Sequence, residues 1–119
     1  MDRRQVVRRA SEFLRRHVAE GVHIGDVSKA AGVSERALRT AFHVVCGLSP
    51  KQYDVRERLR AARRALCHGA AFRTVTAVAS QFGFFELGRF AGIYRHEYGE
   101  SPSQTLRAHR AVTSQASAA

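Results

Sequence analysis

A chain of 119 residues suits one compact unit or two very small subdomains sharing a helix. Twenty basic residues face ten acidic ones, a net charge of +10, and 45% of residues are hydrophobic. Such a balance favours a polyanionic partner, nucleic acid before an anionic surface, and no run approaches the roughly 18 apolar residues of a membrane span.

Helical spacing of apolar residues recurs along the chain, and sustained alternation of apolar and polar residues is lacking. The spacing predicts a first helix over residues 2–20, with Val6, Ala10, Phe13, Leu14 and Val18 on one face and Gly21 as its stop. A short helix follows over 24–31, ended by Gly32. Ser34 then reads as an N-cap, with Glu35 favourable in the first turn of a helix that runs to residue 46 and stops at Gly47. Ser49-Pro50 opens a long helix over 50–66, whose buried stripe is Val55, Leu59, Ala62 and Leu66 and whose stop is Gly69. Helices over 74–81 and 86–98 follow, separated by Gly83, with Gly99 as the stop of the second. Ser101-Pro102 starts a last short helical turn, and the small, polar residues 111–119 read as a disordered tail.

An internal repeat divides the chain. Phe42, Gly47, Ser49, Pro50 and Gln52 recur 52 residues later as Tyr94, Gly99, Ser101, Pro102 and Gln104, whereas Gly32 and Gly83 are 51 apart. The second copy therefore carries one extra residue in its turn. Each copy has what a helix-turn-helix requires: small residues where the helices cross, a glycine in the turn, and apolar residues that pin the second helix. In the first copy these are Val27, Ser28, Ala31, Gly32 and Val33, then Leu38, Ala41, Phe42 and Val45. In the second they are Val78, Ala79, Phe82, Gly83 and Phe84, then Phe90, Ile93 and Tyr94. The expected architecture is all-α. A first helix-turn-helix subdomain covers 1–48, a linker helix 49–68 and a second subdomain 69–110, ahead of the 111–119 tail.

The residues Gly32-Val33-Ser34, Leu38, Phe42, Gly47-Leu48-Ser49-Pro50, Tyr53, Arg58-Leu59, Ala62 and Leu66 carry a more specific pattern. It continues through Phe82-Gly83-Phe84, Phe90, Tyr94, Gly99, Ser101-Pro102 and Leu106-Arg107. Over residues 5–108 the chain resembles the DNA-binding domain of bacterial AraC/XylS-type transcription regulators. The resemblance implies seven helices in two subdomains on a linker helix. It also implies two recognition helices entering successive major grooves of double-stranded DNA.

At 100° per residue, Arg36, Arg39, Thr40 and His43 share the face of the first recognition helix opposite its apolar stripe. Arg36 and Arg39 suit bidentate reading of guanine, and Thr40 suits a thymine methyl or a phosphate. His43 suits a base or a phosphate. The 52-residue offset puts Gly88, Ala91, Gly92 and Arg95 on the equivalent face of the second recognition helix. Base reading is thus expected from Arg36, Arg39, Thr40 and Arg89. Backbone or groove contact is expected from Ser34, Glu35, His43, Lys51, Gly88, Gly92 and Arg95. Two glycines on one helical face suggest close approach, either to DNA or to a neighbouring helix, and a second helix that clamps or reads shape. Further arginines for phosphate are Arg56, Arg60, Arg63, Arg64 and Arg73 on or after the linker, and Arg3, Arg4, Arg8, Arg9, Arg15 and Arg16 on the first helix.

Eighteen of the twenty basic residues are arginine, which fits bidentate phosphate and guanine contact and equally fits a genomic composition bias. Cys46 and Cys67 lie in no metal-binding spacing, and His43 with Cys46 supplies only two ligands, so no metal or other cofactor is expected. No nucleophile–base motif and no phosphate-cradling glycine loop occurs, so the chain does not read as an enzyme. It reads as soluble and cytoplasmic. Candidate partners besides DNA are RNA polymerase and a separate effector-sensing or dimerisation domain, the chain being either an excised C-terminal portion or a stand-alone regulator. Two other readings fit the charge: a basic helical module that contacts the transcription machinery, and a non-specific nucleic-acid binder.

Overall fold

The structure is a computed structural model, and it describes residues 1–18, 22–69 and 74–118. Among them the chain forms seven α-helices and no strand: α1 (Arg3–Arg16), α2 (Ile24–Ala31), α3 (Glu35–Cys46), α4 (Pro50–Arg64), α5 (Val75–Gln81), α6 (Leu87–Tyr98) and α7 (Pro102–Ala118). They group into two compact units, Met1–Arg58 and Leu59–Ala119, whose boundary falls inside α4.

In the first unit, α1 begins with a capping box. The Gln5 backbone N–H donates to the Asp2 carboxylate at 2.8 Å and the Asp2 N–H donates to Gln5 Oε1 at 3.0 Å. The helix ends at Arg16, four residues earlier than its apolar spacing suggests. There the His17 N–H turns back onto the Leu14 carbonyl at 3.2 Å, a tightened bond that closes the last turn. The predicted stop, Gly21, lies outside the described residues. Gly32 and Gly47 end α2 and α3 in the left-handed region, at φ 74° and 70°. That is where a side chain costs most and glycine nothing.

The three helices close on Val6, Val7, Ala10, Leu14, Val27, Ala31, Leu38, Ala41 and Phe42. Phe42 meets Tyr53 edge-on, with ring centroids 5.2 Å apart. Val45 does not join this core as its helical position suggested; it is 40% exposed. The last turn of α3 faces the first residues of α1, where Met1 to Arg4 and Val44 line a shallow open groove rather than a packed layer. Cys46 packs against the core instead.

The second unit repeats the plan. Thr74 caps α5 by accepting the Ala77 N–H at 3.0 Å, as Ser34 caps α3 by accepting the Ala37 N–H at 3.1 Å. The Ser49–Gln52 capping box (2.9 and 3.1 Å) returns as Ser101–Gln104 (2.7 and 3.1 Å). The sequence repeat is thus a repeat of hydrogen bonds as well as of residues. Leu59, Ala62, Leu66, Val78, Ala79, Phe90, Tyr94 and Leu106 are buried.

The Tyr94 hydroxyl donates to Thr105 Oγ1 at 2.8 Å, and Thr105 donates to Glu100 at 2.6 Å, so this buried polar group is satisfied. Burial pushes the Tyr94 phenol above its ordinary value, against the opposing effects of its contact with Thr105 and the charge of Arg63.

Two boundaries differ from the sequence reading. The long helix is α-helical only to Arg64 and ends in a single π turn, Ala65–Gly69. The last helix is no short turn: α7 runs to Ala118, and the expected disordered tail is helical through that residue. The Ser101–Gln104 capping box nucleates the helix, and no glycine or proline follows Pro102 to stop it.

Candidate nucleic-acid interface

The helix α3 has one fully buried side and one open side. Leu38, Ala41 and Phe42 are at most 1% exposed, which fixes the rotation of the helix and turns Arg36, Arg39, Thr40 and His43 outward, all exposed. Arg39 lies 3.7 Å from the Glu35 carboxylate, one turn earlier, with both side chains about half exposed (57% and 47%). An exposed pair of this kind contributes only about 0.3–0.5 kcal/mol, so it orients the guanidinium without tying it down. Ser34 spends its hydroxyl on the cap, and Lys51 is exposed in the first turn of α4.

In the second unit Phe90 and Tyr94 are buried and fix α6 in the same way. Gly88, Arg89, Gly92 and Arg95 are exposed. A Cβ added at Gly88 or Gly92 would meet nothing within 4 Å. Close packing against a neighbouring helix therefore does not account for these two glycines. They leave a bare strip of backbone on the outer face, with Arg89 and Arg95 beside it.

Arg63, one candidate phosphate contact, is engaged within its own unit: its guanidinium stacks over the Tyr98 ring at 4.5 Å and lies 3.7 Å from Glu100. Arg58 pairs with Asp54 at 3.0 Å. Arg73 lies outside the described residues. On α1, Arg3, Arg4, Arg8, Arg9, Arg15 and Arg16 are all exposed, as are Arg56, Arg60 and Arg64 on α4.

Burial raises the Cys46 thiol above its ordinary value while Arg56 pulls it the other way, which keeps the sulfur a weak ligand and nucleophile. No group of three or more His, Cys, Asp or Glu side chains that could hold a metal occurs among the described residues. No helix among them is long and apolar enough to cross a membrane.

Phe85 lies in the longer turn of the second copy and is not among the sequence-predicted site residues. Phe85 is 76% exposed, the most exposed large hydrophobic side chain among the described residues.

A family model described as a helix-turn-helix domain matches residues 27–108. The XylDLEGF operon transcriptional activator 2 of Pseudomonas putida is 34% identical over 103 residues, covering 86% of this chain and 66% of that protein. The probable thc operon regulatory protein of Rhodococcus erythropolis is 35% identical over 103 residues, again 86% of this chain but 31% of its own length. The chain thus spans only part of these curated relatives. Among solved structures, a probable AraC family transcriptional regulator from Rhodopseudomonas palustris CGA009 superposes with a TM-score of 0.80 at 37% identity, over 88% of this chain and 97% of that one. The DNA-binding domain of AdpA, solved in complex with a target DNA, gives 0.77 at 25% identity, over 89% and 94%.

Proposed function

The chain belongs to the AraC/XylS family of helix-turn-helix transcription regulators, and from that premise we propose that it binds duplex DNA sequence-specifically to regulate transcription in the bacterial cytoplasm, as a binding module and not an enzyme. One observation carries the reading. The outward face of α3 presents Arg36, Arg39 and Thr40 on a helix whose opposite side is locked into a core. These are the side chains suited to guanine edges and thymine methyls in a major groove. Each unit takes one groove segment, α3 with long polar readers and α6 with a bare backbone strip flanked by Arg89 and Arg95. In this reading His43 and Lys51 meet phosphates, the Ser34 end of α3 meets the DNA backbone, and Glu35 serves the groove through its pairing with Arg39. The complex of AdpA with its target DNA supports the same use of the fold here.

Two unlike helices on one chain make the DNA site asymmetric. Selection from a random duplex library at physiological salt tests the reading directly. An enriched, non-palindromic motif is the expected result. Salt-sensitive binding with no motif would leave charge alone as the cause, and no binding would favour a protein partner such as RNA polymerase.

The glycine strip gives a prediction of opposite signs. Gly88→Ala and Gly92→Ala each meet open space, so Gly92→Ala, inside α6, is expected to stabilise the second unit by about 0.5–1 kcal/mol through helix propensity, and Gly88→Ala, in the first turn, by less. Each is also expected to weaken binding to the selected duplex, because the added methyl holds the helix off the DNA. Thermal unfolding and duplex titration of the same two variants measure both effects. Unchanged affinity would remove the strip from the interface.

A further inference from the structure

The one-residue surplus of the second copy is where its chemistry departs from the first. In the first copy Gly32 and Val33 lead directly to the cap Ser34. In the second, Gly83 (φ 82°) is followed by Phe84, Phe85 and the cap Glu86. Phe84 takes the place of Val33: it is half-buried, with its ring 4.8 Å from Phe90. Phe85 is then the inserted residue, and it stands in solvent at 76% exposure just before α6. Leu87, the first residue of α6, is 43% exposed beside it. The face that follows is the open strip of Gly88 and Gly92, with exposed Arg89 and Arg95 along it.

An apolar side chain beside a bare backbone and two guanidinium groups fits a partner that is apolar at one point and anionic around it. The major groove offers that combination at thymine, whose C5 methyl is its one apolar group, between two rows of phosphates. We propose that Phe85 and Leu87 read thymine methyl groups in the groove segment taken by α6, the glycine strip letting the helix seat deeply enough for them to reach. The proposal rests on the DNA-binding reading above. It turns the second unit from a clamp into a reader of a different kind: where α3 selects by hydrogen bonds, the α6 turn selects by apolar contact.

The probe is the selected duplex with thymine replaced by deoxyuridine, one half of the site at a time. Deoxyuridine keeps every hydrogen-bonding edge and loses only the methyl. The α6 half is the one whose base preference survives in Arg36→Ala. Replacement there is expected to weaken binding about fourfold per contacted methyl. Phe85→Ser is expected to lose part of the uridine sensitivity, and Phe85→Ser combined with Leu87→Ser to bind the thymine and uridine duplexes equally, both variants melting with the parent protein, since the side chains they remove are exposed. The proposal is overturned, with DNA binding intact, by any of three results: uridine-insensitive binding, full uridine sensitivity retained when Phe85 and Leu87 are both replaced, or an α6 half without thymine. If selection enriches no sequence at all, the underlying reading fails and this one with it.

Discussion

Phe42→Ala is expected to destabilise the first unit by about 3–5 kcal/mol, the usual range for truncating a buried phenylalanine. The ring is fully buried at the meeting point of three helices, with Leu38 and Ala41 from its own helix and Val6, Ala10, Leu14, Val27 and Ala31 from the other two. Tyr53 meets it edge-on at 5.2 Å and cannot fill the space without leaving its own helix. Whole domains hold about 5–15 kcal/mol, and a unit of this size buries too little surface to keep much in reserve. The loss is therefore expected to unfold Met1–Arg58 near body temperature. Urea unfolding followed by circular dichroism gives the magnitude, and amide exchange resolved along the chain shows whether the loss is confined to that unit. A cost below 1 kcal/mol, or exchange rising equally in both units, would contradict the packing described.

Where the chain punctuates itself, its sequence was readable. Glycines at the ends of α2, α3 and α6 take left-handed conformations, and Ser34 and Thr74 accept the bonds that start the following helices. Those helices begin and end where local chemistry says. The boundaries that moved lack such punctuation. Nothing at Arg16 announces the end of α1, because the tightened turn at His17 is a backbone event. Nothing at Arg107 or Arg110 stops α7.

The remaining differences depend on what lies opposite a residue. Val45 has a core position on its own helix and lines the open groove at the start of α1. Arg63 has the look of a surface cation and stacks on Tyr98. The glycines of α6 left two meanings open until the space beside them was known. The repeat is legible in the sequence because it needs no neighbour: a constant offset of 52 implies a common local geometry, and the two Ser–Gln capping boxes realise it.

Removing Arg36 and Arg39 together separates reading from gripping. Each bidentate arginine–guanine pair is worth about 1–3 kcal/mol of discrimination against the wrong base, so the double Arg→Ala variant is expected to lose preference at two neighbouring positions of the α3 half. The fold should be untouched. Both side chains are exposed, and the Glu35–Arg39 pair at 3.7 Å is one turn of surface helix, worth about 0.3–0.5 kcal/mol. The discriminating measurement is affinity for the selected duplex and for its single-base variants at several salt concentrations. If the arginines read bases, the selected sequence loses most and its variants at those two positions lose little, so the ratio between them collapses while the salt slope barely moves. If they hold phosphates, every duplex weakens by the same factor, and the salt slope falls by about one for each contact removed. The face of α3 is geometrically open to either use. A collapsed ratio with an unchanged salt slope is the result that the proposed asymmetric site predicts, hydrogen-bonded in front of α3 and methyl-selected in front of α6.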